Sequence, residues 1–135
     1  MSRTGSLPLV TKAQLAARIG GTFLLVHWRL RRAPLPSVVE SFGAPDQEGL
    51  PRVEARRLSR IVYGTLHVGP LRPRCLINAL VLFRLLRAQG DPAELVIGLP
   101  HDARDHEAHA WVEVERVDVG PPPGKGSHEE LARYR

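Results

Sequence analysis

Apolar residues recur at helical spacing through the first half of the chain and at strand spacing after residue 92. Leu15, Ile19, Val26 and Leu30 share one face, which predicts a helix over 11–31 with Thr11 as N-cap and a kink or break at Gly20-Gly21. Pro34-Leu35-Pro36-Ser37 offers a turn and cap for a short helix through Val38, Val39 and Phe42, ended by Gly43-Ala44-Pro45. A longer helix follows from about Val53 to His67, with Leu58, Ile61, Val62 and Leu66 as its stripe and Arg56, Arg57 and Arg60 toward water.

From Arg74 to Gln89 the pattern changes. Leu76, Ile77, Ala79, Leu80, Val81, Leu82, Phe83, Leu85 and Leu86 cover most of the wheel, interrupted by Asn78, Arg84 and Arg87, so this helix is central and buried, with Gly90 as its C′ residue. The apolar run Ala93–Leu99 suits a strand, and residues 100–108 form a polar loop. In the next strand Val112 and Val114 point one way while His109, Trp111 and Glu113 point the other. Helices first and strands last indicate an α+β fold: a helical half over 11–67, a core over 70–120 with a buried, cysteine-bearing helix packed on a small antiparallel sheet, and a C-terminal tail over 121–135.

Composition agrees with one folded domain over 1–135. The chain is 43% hydrophobic and 24% charged, and a domain of this length buries roughly two-thirds of its unfolded surface. The net charge of +5 permits an acidic partner, but the arginines are dispersed and no nucleic-acid motif or aromatic-interleaved basic stripe appears, so nucleic acid is not expected as a partner. A single cysteine forms no internal disulfide, which points to the cytoplasm. The apolar stretch 22–26 is too short to span a membrane, and no signal-peptide cleavage pattern is present.

The candidate chemistry lies in Cys75 and His109. A thiol attacks a carbonyl as the thiolate, and free cysteine, with a pKa of about 8.5, is mostly protonated at neutral pH. At the first turn of a helix, Cys75 would feel the positive end of the helix dipole and unpaired N–H groups, with Arg72 and Arg74 adding charge. Those N–H groups could also bind an oxyanion beside the sulfur. His109 begins a strand and could project from the sheet's end toward that helix N-terminus, where a general base must stand. Trp111, on the same strand face, would shield the pair and contact substrate. Structural readings stand beside these: a lone cysteine is commonly a small core residue, a lone histidine commonly a hydrogen-bonded one, and Trp111 packs a core equally well. His101, Asp102, Asp105, His106 and His109 crowd one loop, but His106-Glu107-Ala108-His109 is one residue short of the zinc-protease pattern, and no metal or other cofactor is expected.

Arg74-Cys75-Leu76, the apolar stretch ending Leu85-Leu86-Arg87-Ala88-Gln89-Gly90, Leu95-Val96-Ile97-Gly98 and Ala108-His109-Ala110-Trp111-Val112-Glu113 together resemble the transglutaminase-like cysteine-protease fold, with its papain-like core. Within that superfamily the segment is most similar to the leader peptidases of lasso-peptide biosynthesis, the B2 type. The resemblance implies a cysteine peptidase that cuts the leader from a ribosomally made precursor and releases a core peptide for a macrolactam cyclase. Cys75 would be the nucleophile and His109 the base. It also implies a separate small leader-recognition protein of the B1 type as partner. The family's third member is an Asp about a dozen residues after the His, where this chain has Pro121. The nearest carboxylate is Asp118, and a tight hairpin turning near Glu115-Arg116 would put Pro122 opposite His109 unless a bulge shifts the register. Asp118 is therefore the nominated third residue, with Glu113 or a backbone carbonyl as alternative orienting groups. A transglutaminase-like amidase or acyltransferase, or a relative that binds a peptide without cutting it, would share the same residues.

Overall fold

The computed structural model describes residues 9–42, 53–67, 75–100, 108–120 and 128–135, apart from the side chains of Cys75, Pro100 and His128. Its elements run α1 (Leu9–Leu30), α2 (Leu35–Ser41), α3 (Ala55–Leu66), α4 (Cys75–Ala88), β1 (Ala93–Pro100), β2 (His109–Val114), β3 (Val117–Gly120) and β4 (His128–Tyr134).

The centre is α4, where Ala79, Leu80, Val81, Leu82, Phe83 and Leu86 have no exposed surface. A helix apolar all round needs cover on every side. Here α1 and α3 pack on it from one direction and β1 and β2 from the other. It stops in a Schellman arrangement: Gly90 N–H donates to Arg87 O at 3.1 Å and Asp91 N–H to Leu86 O at 2.9 Å, with Gly90 at φ 96°. Only Gln89–Pro92 separates α4 from β1, so the chain doubles back along the helix it has just left.

α1 runs as one helix from Leu9 through Gly20-Gly21, so there is no break at the glycines and Thr11 is an interior residue rather than a cap. Two helical glycines cost about 1–2 kcal/mol together relative to alanine. Burial of Ile19, Thr22 and Val26 on either side of the pair outweighs that. By length and composition α1 is also long and apolar enough to cross a membrane, which the short stretch 22–26 did not suggest. In α3 the expected stripe is in place, with Leu58, Val62 and Leu66 buried. Glu54 caps this helix by accepting from the N–H groups of Arg56 (3.1 Å) and Arg57 (3.0 Å), which hold its carboxyl below the ordinary carboxylate pKa. The Gln89 side chain bonds both N–H and C=O of Val53, tying the start of α3 to the end of α4, so the two helices run in opposite directions.

The four-stranded sheet is antiparallel in the order β3-β2-β1-β4. Ala93, Leu95, Ala110 and Val112 join the core with α4, and partly buried Ile97, Val114, Val119 and Tyr134 pack against it. β4 corrects the expectation of a tail over 121–135: His128–Tyr134 pairs with β1 from Leu95↔Tyr134 to Pro100↔His128. Within it Leu131 is an extra residue, because Ile97 faces Ala132 while Gly98 faces Glu130.

Candidate active site

The two expected catalytic residues arrive by different routes. Cys75 opens α4, its side chain lying outside what the structure describes. His109 opens β2 opposite Gly98, five residues beyond Ala93 along β1. From Ala88 back to Cys75 the helix rises ~20 Å, and β1 covers ~17 Å between Ala93 and Gly98. Because β1 retraces α4, both residues come to the same end of the domain.

The His109 ring is partly buried and stacks on Trp111, with centroids 6.2 Å apart and planes 24° apart. Both belong to the sheet face opposite Ala110 and Val112, as strand alternation requires. Trp111 is only 2% exposed. Its indole lies close against Gly98, where an added Cβ would come within 2.8 Å of Cη2 and 2.9 Å of Cζ3. Its Nε1–H donates to Glu113 Oε2 at 3.0 Å. The His109–Trp111 wall is therefore fixed on two sides: a glycine lets the ring approach, and a carboxylate holds its edge.

Glu113 is in turn held by Arg133. The Arg133 Nη1 lies 3.0 Å from Glu113 Oε1 and 2.6 Å from Glu94 Oε1, while Nη2 lies 2.7 Å from Glu130 Oε1. These carboxylates raise the pKa of the guanidinium, the hydrogen bond it donates to Glu130 contributing most. Arg135 adds a 2.8 Å contact from Nε to Glu94 Oε2. Both oxygens of Glu113 are thus engaged, by Trp111 and by Arg133, and not by His109.

The register sets Asp118 away from His109. The hairpin turns through Glu115 and Arg116, both at positive φ (52° and 69°), so Asp118 falls opposite Glu113. Four residues of strand separate Glu113 from His109, about 13 Å, far beyond hydrogen-bond reach. A bulge does exist, but it lies past Asp118: it makes Val119 the extra residue and puts Gly120 opposite Val112, so it leaves Asp118 where the turn puts it. Asp118 Oδ1 accepts instead from Gly120 N–H at 2.7 Å. Pro121 and Pro122 lie outside the described residues, as do His101, Asp102, Asp105 and His106 of the loop weighed as a metal site.

Sequence reasoning passed over Gly98, Arg133 and Asn78. A glycine inside an apolar strand run signals close approach of another group, so Gly98 was discoverable. Asn78, one turn after Cys75, is 1% exposed, and among the described residues neither Oδ1 nor Nδ2 has a hydrogen-bond partner. An interruption in an otherwise apolar helix was its visible signal.

A cysteine opening a helix and a histidine at the same end of the domain are the groups that acyl transfer through a thiolate requires. Comparison with curated proteins and with solved structures yields no match. A family model described as the transglutaminase-like superfamily does match, over residues 17–133. That span runs from α1 into β4 and takes in both Cys75 and His109, and the chain belongs to the transglutaminase-like superfamily.

Proposed function

We propose that the chain is a cysteine peptidase that removes the leader from a ribosomally made lasso-peptide precursor in the cytoplasm, with Cys75 as nucleophile and His109 as general base. The observation that carries this reading is the convergence of the α4 N-terminus and the first residue of β2 at one end of a transglutaminase-like domain. In the first half-reaction the Cys75 thiolate adds to the scissile carbonyl carbon, and the N–H groups opening α4 hold the oxyanion. His109, protonated, gives its proton to the departing amine, leaving a thioester. His109 then takes a proton from water, whose oxygen attacks the thioester and frees the acid and the thiolate. Trp111 packs along the imidazole, limits its rotation and keeps one side of it dry. Glu113 is committed to Trp111 and Arg133, so in this reading it is not the carboxylate that orients the base.

The partners that fit are the precursor's leader, a small leader-recognition protein of the B1 type, and a macrolactam cyclase that consumes the product. The exposed Leu24 and Trp28 on α1 offer such a protein an apolar contact. Handing the thioester to an amine instead of water would make the same site an acyltransferase, and product masses separate the two.

Thiol alkylation tests the proposal without knowledge of the substrate. A cysteine with pKa lowered to about 6.5 carries on the order of a hundredfold more thiolate at pH 6 than an ordinary one. Cys75 should therefore alkylate at pH 6 far faster than the thiol of a model peptide, and His109→Ala should slow it. A rate no faster than the model peptide would sink the enzyme readings. Activity lost to a chelator yet retained in Cys75→Ala would restore a metal mechanism. Neighbouring genes for a short precursor, a leader-binding protein and an asparagine-synthetase-like cyclase would support the leader-peptidase assignment; their absence would favour a broader amidase.

A further inference from the structure

Between α3 and β3 lies a groove of about 570 Å³, within the range of roughly 300–1,000 Å³ usual for ligand sites. Its helical wall carries Arg56, Ser59, Arg60, Tyr63 and Gly64, and its strand wall Asp118, Val119 and Gly120. β3 is the first strand in the sheet order, and among the described residues only β2 pairs with it. An edge strand with an open flank presents unpaired N–H and C=O groups to whatever enters beside it. Arg56 and Arg60 stand one turn apart on the same helix face, both exposed, and among the described residues neither is held in an ion pair. The Asp118 carboxylate, by contrast, is partly engaged by its bond from Gly120.

We propose that this groove binds an extended acidic peptide segment, which adds to the sheet as a strand beside β3 while its carboxylates meet Arg56 and Arg60. Helix on one side and edge strand on the other is an arrangement in which an extended peptide gains backbone hydrogen bonds from the strand and side-chain selectivity from the helix. Alternate side chains of the added strand face the helix. Carboxylates at those positions meet the two guanidinium groups, and an apolar side chain meets Tyr63, whose surface is 46% exposed. The groove also has a direction. Asp118 is opposite Glu113 and Gly120 opposite Val112, so β3 climbs toward His109, which is three residues or about 10 Å beyond. A peptide lying there would run on toward the end of the domain that holds Cys75 and His109. Its meaning as a substrate-guiding site rests on the peptidase reading; the binding itself does not.

The test uses the full chain carrying Cys75→Ala, so that no probe is consumed, and fluorescence anisotropy with labelled peptides. Four probes are compared: a peptide alternating Glu and Val, its Lys-for-Glu counterpart, a form of the first N-methylated at alternate peptide bonds, and a single-stranded oligonucleotide of matching charge. The acidic peptide should bind, weakening with salt. Lysine replacement or N-methylation should abolish binding. Arg56→Glu with Arg60→Glu should lower affinity at least about tenfold. Arg31→Glu with Arg32→Glu, the same change in net charge on exposed positions near the end of α1, should leave affinity within about twofold. Unchanged thermal midpoints show that both double variants are folded. Equal binding of the lysine or N-methylated peptide, or equal loss in the two double variants, overturns the proposal. An oligonucleotide that binds more tightly than the acidic peptide and is lost with Arg56 and Arg60 also overturns it, in favour of nucleic acid. Failure of the groove in a chain whose Cys75 alkylates rapidly leaves the peptidase reading intact, and a sluggish thiol beside intact binding refutes the peptidase alone.

Discussion

Gly98→Ala tests how the His109 wall is built. The new methyl carbon would lie 2.7 Å from the backbone oxygen of Glu129, 2.8 Å from Trp111 Cη2 and 2.9 Å from Trp111 Cζ3. Carbon atoms in favourable contact sit about 3.5–4.0 Å apart, so the two ring contacts are short by roughly 0.6–1.2 Å. Neither neighbour yields easily. The Glu129 carbonyl belongs to the β1–β4 ladder, and the indole is pinned by Glu113. Overpacking of this kind costs about 1–3 kcal/mol. If the ring swings away to relieve it, the hydrogen bond to a charged acceptor is lost instead, worth about 1.5–3 kcal/mol. Since one escape replaces the other in part, the expected destabilisation is about 2–4 kcal/mol. Urea denaturation at constant m-value measures it. Trp111→Leu removes the two clashing ring atoms, so the double variant should be less destabilised than the sum of the singles by at least about 1 kcal/mol. Because Gly98 faces His109 across β1 and β2, the Cys75 alkylation rate should fall as well. A Gly98→Ala chain within about 0.5 kcal/mol of wild type, or a strictly additive cycle, would refute the picture of an indole wedged between a glycine and a carboxylate.

Arg133→Met leaves Glu113, whose side chain is 2% exposed, without its cation and should cost about 3–5 kcal/mol; adding Glu113→Gln, which keeps an acceptor for Trp111, should recover a large part in chemical denaturation. Glu54→Ala removes the α3 cap and should cost about 1 kcal/mol at pH 7. The folded-state pKa of Glu54 is depressed by the Arg56 and Arg57 N–H groups, so the charge-dependent part of that gap is present above the ordinary value of 4.5 and is lost as pH falls through the lower folded value. Melting curves from pH 7 to pH 3 that show a gap widening toward acid would contradict this. Asn78→Leu replaces a buried amide that has no hydrogen-bond partner among the described residues by an apolar side chain, and should stabilise the domain by up to about 1–3 kcal/mol in urea titrations; a loss of stability would mean the amide is satisfied in solution.

The parts of the fold legible in the sequence were those whose signal is local. A helix apolar on all sides with glycine at C′ could only be α4 at the centre, and the stripe of Leu58, Val62 and Leu66 placed α3 to within two residues at its start. Alternation in β2 put His109, Trp111 and Glu113 on one face, where the His109–Trp111 stack and the Trp111–Glu113 hydrogen bond hold them. What escaped was non-local. α1 looked broken because glycine propensity is a single-residue property, whereas its continuity comes from burial on either side. β4 looked like a tail because Glu129, Glu130, Leu131 and Ala132 favour helix by propensity and the bulge at Leu131 destroys their strand alternation.

The hidden strand also bears on Glu113, the alternative orienting group for His109. A polar row of His109, Trp111 and Glu113 on an antiparallel sheet ordinarily faces water, and a glutamate in that row then looks free to orient the histidine. Yet Trp111 and Glu113 are 2% and 1% exposed. Arg133 of β4, opposite Val96 of β1, reaches across β1, a span of about 9–10 Å between non-adjacent strands, to bind Glu113. That reach is available only if β4 lies beside β1 in the observed register; a slip by one residue would turn Arg133 into the helix-facing core. The carboxylate nearest in sequence to His109 on its own strand face is therefore claimed by an arginine from the far end of the chain, which converts it from a candidate partner of the imidazole into an anchor for the tryptophan beside it. The His109 ring thus packs on an indole, and the residue that fixes the indole is set by a strand that neither periodicity nor propensity reveals.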